Sequence, residues 1–175
     1  MIIRPTTEDD WTTLKTLRLA ALRDAPTAFG VDYATAEANS DEQWRYRAAG
    51  RGPARFFMAI EDDNAVGLIA GVADHAGETE LIAMWVRPES RGLGVADQLV
   101  DAVKSLAVAN GHARVLLDVS PDNARAAGFY RKQGFVFLPE WEPLASHPNI
   151  TVQKMEWRVN ARRIYVAVND SMRST

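Results

Sequence analysis

The sequence predicts an α+β domain in which one β-sheet carries helices on both faces. The first observation is size, because 175 residues with 47% hydrophobic and 25% charged residues are typical of one globular domain. The second is the order of the predicted elements, with two helices first, then an antiparallel meander of strands, then a β-α-β arrangement. We expect a single domain over residues 1–159 and a C-terminal extension over residues 160–175.

Composition excludes several classes of site. The chain has no cysteine, and therefore no disulfide, zinc-thiolate site or thiolate nucleophile. The histidines, His75, His112 and His147, make no i, i+4 pair, and we expect no metal site. The net charge of -3 gives little electrostatic support for nucleic-acid binding. No apolar run approaches the roughly 18 residues of a membrane span and no signal peptide is evident, so we expect a cytoplasmic protein.

The N-terminal segment predicts a short strand followed by a helix. The two isoleucines at residues 2–3 are typical of the strand. Thr7, with Asp10 three residues later, is typical of a helix N-cap with an acidic first turn. Apolar residues then recur at helical spacing, namely Trp11, Leu14, Leu17, Ala21 and Leu22. The predicted helix ends before Pro26.

A second helix and a group of strands follow. Ser40 and Gln43 form a capping box that predicts the start of the helix, and Gly50 ends it. The hydrophobic period then changes to that of strands, and an acidic turn at residues 61–64 predicts a hairpin. The predicted strands of this block are residues 55–60, 65–72 and 80–86.

The C-terminal half predicts a long amphipathic helix and a β-α-β unit. Apolar residues recur at helical spacing across residues 91–110, and Gly111 is expected just beyond the helix end. The remaining predicted elements are a strand at residues 114–119, a helix at 123–132, and strands at 135–138 and 151–159. The sheet should therefore contain about seven strands.

A strand, a turn with two glycines and a helix start follow one another directly between residues 84 and 96. This arrangement is chemically an anion site, because glycines let the backbone approach closely and the first helical N–H groups point at the ligand. Arg91 adds a positive charge. An ordinary turn before a helix explains the same residues. Two other phosphate motifs are excluded, since the chain has no G-x-x-x-x-G-K-[ST] and the turn lacks the third glycine of a dinucleotide fingerprint.

Two motifs together resemble one family. Arg91-x-x-Gly94-x-Ala96 resembles the R/Q-x-x-G-x-G/A signature of the GNAT superfamily of N-acetyltransferases. The segment at residues 123–135 resembles the N-x-x-A-x-x-x-Y-x-x-x-G-F segment of the same family, in the expected order and separation. The resemblance implies the GNAT fold, with a mixed, largely antiparallel central sheet, and acetyl-CoA-dependent acetyl transfer to a primary amine.

The resemblance also implies where acetyl-CoA, the acyl-donor substrate, binds. The strand near Val86 is expected to splay from its neighbour, so that the backbone of Trp85, Val86 and Arg87 pairs with the pantetheine arm. The pyrophosphate is expected against the N–H groups of Arg91, Gly92, Leu93, Gly94, Val95 and Ala96. Asn123 is expected to contact the pantetheine region, although a role as helix N-cap also explains this residue.

The catalytic groups are implied in the same way. Tyr130 matches the general acid that protonates the departing CoA thiolate, with a core tyrosine as the structural alternative. Glu80 and Asp118 compete with each other and with a water chain as the general base. Glu80 lies six residues before Val86, and we expect it on the same strand face. The Val86 N–H is expected to meet the oxyanion. Without cysteine there is no acyl-cysteine intermediate, which favours direct attack in a ternary complex.

The acceptor is expected to be a small-molecule or protein amine. The first two helices and a loop at residues 139–149 should select it, and their aromatic and acidic residues suit a small cationic amine. Two alternatives remain open: toxin-like acetylation of aminoacyl-tRNA, which needs a basic face, and a non-catalytic acyl-CoA-binding module, which Tyr130 and a candidate base disfavour. The extension over residues 160–175 is expected either to pair with a second subunit, forming a homodimer, or to be loosely ordered.

Overall fold

The computed structural model describes residues 1–74 and 76–159, so the expectations for the 160–175 extension lie outside the described residues. The strands are β1 (Ile2–Pro5), β2 (Ala54–Glu61), β3 (Asn64–Ala73), β4 (Glu78–Val86), β5 (Arg114–Val119), β6 (Val136–Leu144) and β7 (His147–Arg158). They form one sheet in the order β1-β2-β3-β4-β5-β7-β6. Only β4 and β5 pair in parallel among these strands. The predicted mixed, largely antiparallel α+β fold is confirmed.

Helices cover both faces of the sheet in the described part of the chain. They are α1 (Trp11–Asp24), α2 (Tyr33–Glu37), α3 (Asp41–Ala48), α4 (Val95–Ala109) and α5 (Ala124–Lys132), with short 3₁₀ turns at Glu8–Asp10, Pro26–Ala28 and Pro88–Ser90. On one face α1 to α3 pack in an α1 core that includes Leu14, Trp44 and Leu68. On the other face α4 and α5 pack in an α4 core that includes Leu99, Leu117 and Tyr130.

The two predicted helix starts are confirmed, and each has a local chemical cause. The Asp10 carboxylate accepts from the Thr7 N–H at 2.8 Å and from the Thr7 hydroxyl at 3.0 Å, which stabilises the 3₁₀ turn leading into α1. Ser40 Oγ accepts from the Gln43 N–H at 3.2 Å, and Gln43 Oε1 accepts from the Ser40 N–H at 2.8 Å. This reciprocal pair satisfies two backbone donors at the start of α3.

The long helix starts later than its periodicity suggests. Helical spacing begins at residue 91 in the sequence, but α4 begins at Val95. Gly92 and Gly94 have φ of 79° and 80°, so this part of the chain is in the left-handed region rather than the helical one. The C-terminal end agrees with the prediction, because Gly111, at φ 69°, follows the helix.

The prediction that residues 139–149 form a loop is wrong, because most of these residues lie in two strands. β6 extends beyond the predicted residues 135–138 to Leu144, and β7 already begins at His147. Pro139 and Pro143 hide the strand signal in the sequence. They are tolerated because β6 is the last strand in the sheet order, and an edge strand does not need every N–H for the ladder.

β4 and β5 separate along their length, and this separation creates the site. Their parallel pairing ends at Glu80 and Leu116. Beyond these residues β4 continues to Val86 and β5 continues to Val119. Among the described residues, these two segments do not pair with each other. The splay that the family resemblance implied is therefore present.

A β-bulge in β4 accompanies this separation. The register between β3 and β4 shifts between Leu68 and Ala70, and Ala83 lies opposite this irregularity with φ of 58°. Positive φ is uncommon for a residue with a side chain, and a bulge bends its strand and increases its twist. The bend directs the last residues of β4 away from β5.

Candidate active site

Val86 presents its backbone to the gap between β4 and β5. The Arg87 N–H donates to the Val66 carbonyl at 2.8 Å, so Arg87 occupies a hydrogen-bonded position of the antiparallel ladder with β3. Because such positions alternate, the N–H and C=O of Val86 point away from β3, into the gap. The Val86 carbonyl accepts from Arg91 Nε at 2.9 Å. The Val86 N–H is therefore directed at the gap, as an oxyanion donor must be.

The expected pairing of three consecutive residues with pantetheine needs a correction. Arg87 uses both backbone groups within the protein, because its carbonyl also accepts from the Ser90 N–H at 3.0 Å. Trp85 lies opposite Leu68, which by the same alternation is a position bonded to β3. Strand alternation lets only every second residue face the gap, so Val86 alone of the three directs both backbone groups there.

The Gly-rich turn ends in a helix start that has open donors. α4 has Gly94 at its N-cap position and no side-chain cap. The Gln98 N–H donates back to the Gly94 carbonyl at 3.3 Å, so the N–H groups of the preceding helical residues lack an acceptor within the helix. Apart from the glycine itself and its neighbours in the chain, no atom of the described residues lies within 4 Å of where a Cβ would stand on Gly92 or Gly94. A pyrophosphate therefore has space and backbone donors at this end of α4.

Two other residues of the turn differ in their environment. Leu93 is 65% exposed between the two glycines, so its side chain does not anchor the turn in the core. Arg91 forms an ion pair with Asp24 in addition to its bond to the Val86 carbonyl. The positive charge of Arg91 is therefore already compensated, and the anion site depends on backbone donors.

Asn123 caps α5. Its Oδ1 accepts from the Ala126 N–H at 3.1 Å, which supports the structural interpretation of this residue. The cap uses the oxygen of the side chain and leaves the amide NH₂ as a donor. The expected contact of Asn123 with pantetheine remains a prediction.

Tyr130 lies in the α4 core with 9% of its surface exposed. Its ring makes edge contacts with Phe129 and Phe135, at centroid distances of 5.2 Å and 5.7 Å. Burial raises the pKa of Tyr130 above the usual tyrosine value. The phenol is protonated at neutral pH, as an ordinary tyrosine also is, and its raised pKa makes it a weaker proton donor than a phenol in water. No hydrogen bond to the hydroxyl is found within residues 1–74 and 76–159.

Glu80 and Asp118 line one cavity of about 390 Å³, which we call the acidic trough. Its lining residues are Val72, Asp74, Glu78, Glu80, Arg114, Leu116, Asp118, Glu140, Glu142 and Lys154. Leu81 and Leu117, the next residues of β4 and β5, pack in the α4 core. Since strand side chains alternate, the trough opens on the face of the sheet opposite to α4.

The expectation that Glu80 and Val86 share a face is wrong for their side chains. The Val86 side chain lies in the α4 core, whereas Glu80 faces the acidic trough. The bulge at Ala83 adds one residue between them and inverts the alternation that an even spacing would give. Only the backbone of Val86 is directed into the gap that Glu80 flanks.

The two candidate bases have different electrostatic environments. Asp118 accepts from Lys154 Nζ at 3.3 Å, so a neighbouring cation compensates its charge. Burial, followed by the negative charge of Asp118, raises the pKa of Glu80. Glu80 takes part in none of the ion pairs of the described residues, which leaves its carboxylate free to accept a proton. A raised pKa also brings a carboxylate closer to what a base at neutral pH needs.

Sequence reasoning missed much of the acidic trough. Arg114 donates to Glu78 at 2.7 Å and to Glu156 at 3.1 Å, and these bonds join three strands. The alternation of Arg114, Leu116 and Asp118 along β5 was the available signal that they share a face. The approach of Lys154 from β7 comes from strand pairing, which no local pattern shows.

The described part of the chain has neither a cluster of metal-ligating side chains nor a helix that could span a membrane. The carboxylates of the acidic trough and the other described side chains form no group suited to hold a metal ion. No described helix is long and apolar enough to cross a bilayer.

Comparisons with known proteins identify relatives of the chain. A family model described as "Acetyltransferase (GNAT) family" matches residues 18–135. A mycothiol acetyltransferase from Rhodococcus erythropolis is 36% identical over 89 residues, which cover 49% of this chain and 27% of that protein. An IAA acetyltransferase from Azospirillum brasilense is 30% identical over 95 residues, which cover 54% of this chain and 62% of that protein. The matches thus span less than two thirds of either curated relative.

A solved structure has the same fold. The acetyltransferase of GNAT family from Streptococcus pneumoniae superposes with a TM-score of 0.76 at 18% identity. The superposition covers 91% of this chain and 99% of that one. At this level of identity the similarity concerns the fold.

Proposed function

Because the chain belongs to the acetyltransferase (GNAT) family, in which acetyl-CoA is the general acyl donor, we propose that it is an acetyl-CoA-dependent N-acetyltransferase. It transfers the acetyl group to a primary amine by direct attack in a ternary complex. The gap between β4 and β5 carries this proposal. The helix start of α4 lies towards one face of the sheet, the acidic trough opens on the other, and the Val86 N–H is directed into the gap between them.

The donor is held mainly by backbone groups in this proposal. The pyrophosphate lies against the N–H groups at the start of α4, where the helix dipole and the missing side-chain cap favour an anion. The pantetheine arm enters the gap along β4, in the position of an added strand. The NH₂ group of Asn123 is a candidate donor to this arm, since its Oδ1 caps α5.

Proton transfers are assigned to side chains on the two sides of the gap. Glu80 accepts a proton from the substrate ammonium, and the free amine attacks the thioester carbonyl carbon to form the new C–N bond. The Val86 N–H stabilises the oxyanion of the tetrahedral intermediate. The C–S bond then breaks, and Tyr130 donates its proton to the departing thiolate. Solvent afterwards returns a proton to Tyr130 and removes those left on the amide product and Glu80.

Glu80 is the favoured base because of its neighbours. Lys154 lies beside Asp118 and forms an ion pair with it, so this carboxylate already has a cationic partner. Glu80 forms no ion pair among the described residues, and burial raises its pKa, which suits a base that acts near neutral pH. Asp118 therefore has a supporting role in this proposal, as the negative charge that contributes to the raised pKa of Glu80.

The acidic trough is the proposed acceptor site. Its carboxylates outnumber its two basic residues, Arg114 and Lys154, and both basic residues are engaged in ion pairs. Such a surface attracts a cationic amine before it is deprotonated. The same charge disfavours aminoacyl-tRNA as acceptor, because a polyanion would meet like charge beside Glu80.

Product analysis tests the proposed activity. The full chain is incubated with acetyl-CoA and a panel of small amines, peptides and aminoacyl-tRNAs, and the products are analysed by mass spectrometry. An added acetyl group on a small amine or peptide amine supports the proposal. Acetylated aminoacyl-tRNA as the only product would support the toxin-like alternative, and CoA binding without any product would support a non-catalytic module.

The domain boundary and the oligomeric state are tested separately. We propose that residues 1–159 form the folded domain and that the extension over residues 160–175 either pairs with a second subunit or is loosely ordered; the first alternative predicts a homodimer. Light scattering should then give twice the monomer mass for the full chain. A chain ending at Val159 should remain folded and elute as a monomer. A monomeric full chain would refute the homodimer.

A further inference from the structure

Asp24 connects three parts of the proposed donor site. Asp24 is the last residue of α1, and its Oδ2 accepts from Trp85 Nε1 at 2.8 Å and pairs with Arg91 Nη2. Arg91 in turn donates from Nε to the Val86 carbonyl at 2.9 Å. One carboxylate therefore joins the end of α1, the end of β4 and the first residue of the Gly-rich turn.

The Asp24 carboxylate is electrostatically unfavourable at the C-terminal end of α1 unless other groups compensate its charge. A negative charge in the last turn of a helix lies near the negative end of the helix dipole, where a cation is preferred. Hydrogen bonds from Trp85 and then Arg91 hold the pKa of Asp24 below its usual range, so the carboxylate is stabilised by these two partners. Neither bond belongs to a backbone ladder, so the regular fold does not require them.

The turn that follows has few other anchors. The 3₁₀ turn Pro88–Ser90 leads to Arg91, and the helix begins at Val95. Between them, Gly92 and Gly94 have no side chain to pack, and Leu93 is exposed. The Arg91 N–H donates to the Pro88 carbonyl at 3.3 Å, and the Arg91 guanidinium adds a side-chain bond to the Val86 carbonyl, which Asp24 supports.

We propose that Asp24 is a positioning residue for acetyl-CoA, which acts by holding the planar guanidinium of Arg91 between the Val86 carbonyl and the Gly-rich turn. This role rests on the proposed function. It differs from a direct charge contact between Arg91 and the pyrophosphate, because the charge of Arg91 is already paired with Asp24. The donor site therefore depends on the planar geometry of the Arg91 guanidinium and not on its charge.

Two substitutions separate geometry from charge. Asp24→Asn keeps the size of the side chain and one acceptor but removes the ion pair. Arg91→Lys keeps the positive charge but cannot bond the Val86 carbonyl and Asp24 through one planar group. We expect each to weaken CoA binding roughly tenfold, as the loss of a charged hydrogen bond does. The double variant should be no worse than about either single one, since both disrupt one unit.

The assay is isothermal titration of the full chain with CoA, together with thermal unfolding. Asp10→Asn is the matched control, because Asp10 also pairs with an arginine, Arg4, but lies at the start of α1 and bonds the Thr7 backbone instead of the Gly-rich turn. The control should lower the unfolding temperature without changing the Kd for CoA. In steady-state kinetics Asp24→Asn should raise the KM for acetyl-CoA and leave kcat within threefold of the unmodified enzyme.

The results distinguish a failure of the proposed function from a failure of the positioning role of Asp24. If the unmodified chain does not bind CoA, the proposed function fails, and the role of Asp24 fails with it. If the chain binds CoA and the Kd of Asp24→Asn is within twofold, the positioning role alone is wrong. An unchanged Kd for Arg91→Lys would also overturn it, in favour of a charge effect. Should Asp24→Asn not fold, Trp85→Phe, which removes one donor to the same carboxylate, must weaken CoA binding.

Discussion

Replacing Glu80 by glutamine tests the proposed base through the pH dependence of the reaction. Only the ionised carboxylate can accept a proton, so kcat/KM should rise as pH increases through the pKa of Glu80. Burial and the charge of Asp118 raise this pKa, which moves the acid limb to higher pH than an ordinary glutamate near 4.3 would give. Glu80→Gln should abolish this limb.

The expected loss follows from the role of the group. A positioned general base contributes a factor of roughly 100 to 10,000, so Glu80→Gln should reduce kcat/KM at least about 100-fold near neutral pH. The same substitution should increase the stability of the fold although it lowers activity. Folding raises the pKa of Glu80, so the ionised form disfavours the folded state once pH exceeds that pKa. Because the side chain is partly exposed, we expect Glu80→Gln to stabilise the fold by less than about 1 kcal/mol at neutral pH.

Steady-state kinetics from pH 5 to pH 9 and thermal unfolding at the same pH values measure both effects. Glu142→Gln is the matched control, because Glu142 lines the same trough and its charge contributes to the raised pKa of Glu80. It should shift the acid limb to lower pH and retain most of kcat. A Glu80→Gln enzyme that keeps the limb and loses less than threefold in kcat/KM would refute Glu80 as the base.

Three further predictions concern other residues. Tyr130→Phe should lower kcat at least about tenfold while the Kd for acetyl-CoA, measured by titration, stays within twofold; an unchanged rate would remove the tyrosine from the mechanism. Gly94→Ala should weaken CoA binding and lower the free energy of unfolding, measured with denaturant, by about 1 kcal/mol. There is space for the added methyl group, but a φ of 80° is unfavourable for alanine. Equal stability of the two proteins would show that the turn relaxes without cost. Asp10→Asn should cost about 1–2 kcal/mol at pH 7, because Arg4 lowers the pKa of Asp10 from 3.8 to about 2. The difference should decrease as pH falls from 3.8 through about 2, and an undiminished difference at pH 2 would contradict this.

The sequence predicted those features that depend on neighbouring residues. The capping box of Ser40 and Gln43 requires only a spacing of three residues, and the structure contains it. β5 lies at the predicted residues, Arg114–Val119, because alternating burial is a local signal. The glycines before α4 are also a local signal, since the left-handed turn requires them whatever lies elsewhere in the chain.

Features that depend on distant strands were predicted less well. The even spacing between Glu80 and Val86 predicted that their side chains share one face of the sheet. The bulge at Ala83 inverts the alternation of side chains along β4, and nothing in the local sequence pattern indicates a bulge at an alanine. Lys154 reaches Asp118 because β5 pairs with β7. Asp24 lies at the predicted helix end before Pro26, but its bond to Trp85 depends on the packing of α1 on β4, which no local pattern shows.

The two sides of the gap differ in what holds the substrate, and this explains why the family could be recognised while the acceptor could not. In the proposed function the donor side uses backbone N–H groups, so it requires a particular backbone conformation. That conformation is visible in the sequence as the spacing of Gly92 and Gly94. The proposed acceptor side has side-chain charges contributed by β4, β5, β6 and β7, and by Asp74, which follows β3. Such a surface can change its charge one residue at a time without changing the fold. We therefore expect the balance of charges around Glu80 to set acceptor specificity, which pairwise substitutions in the acidic trough can measure.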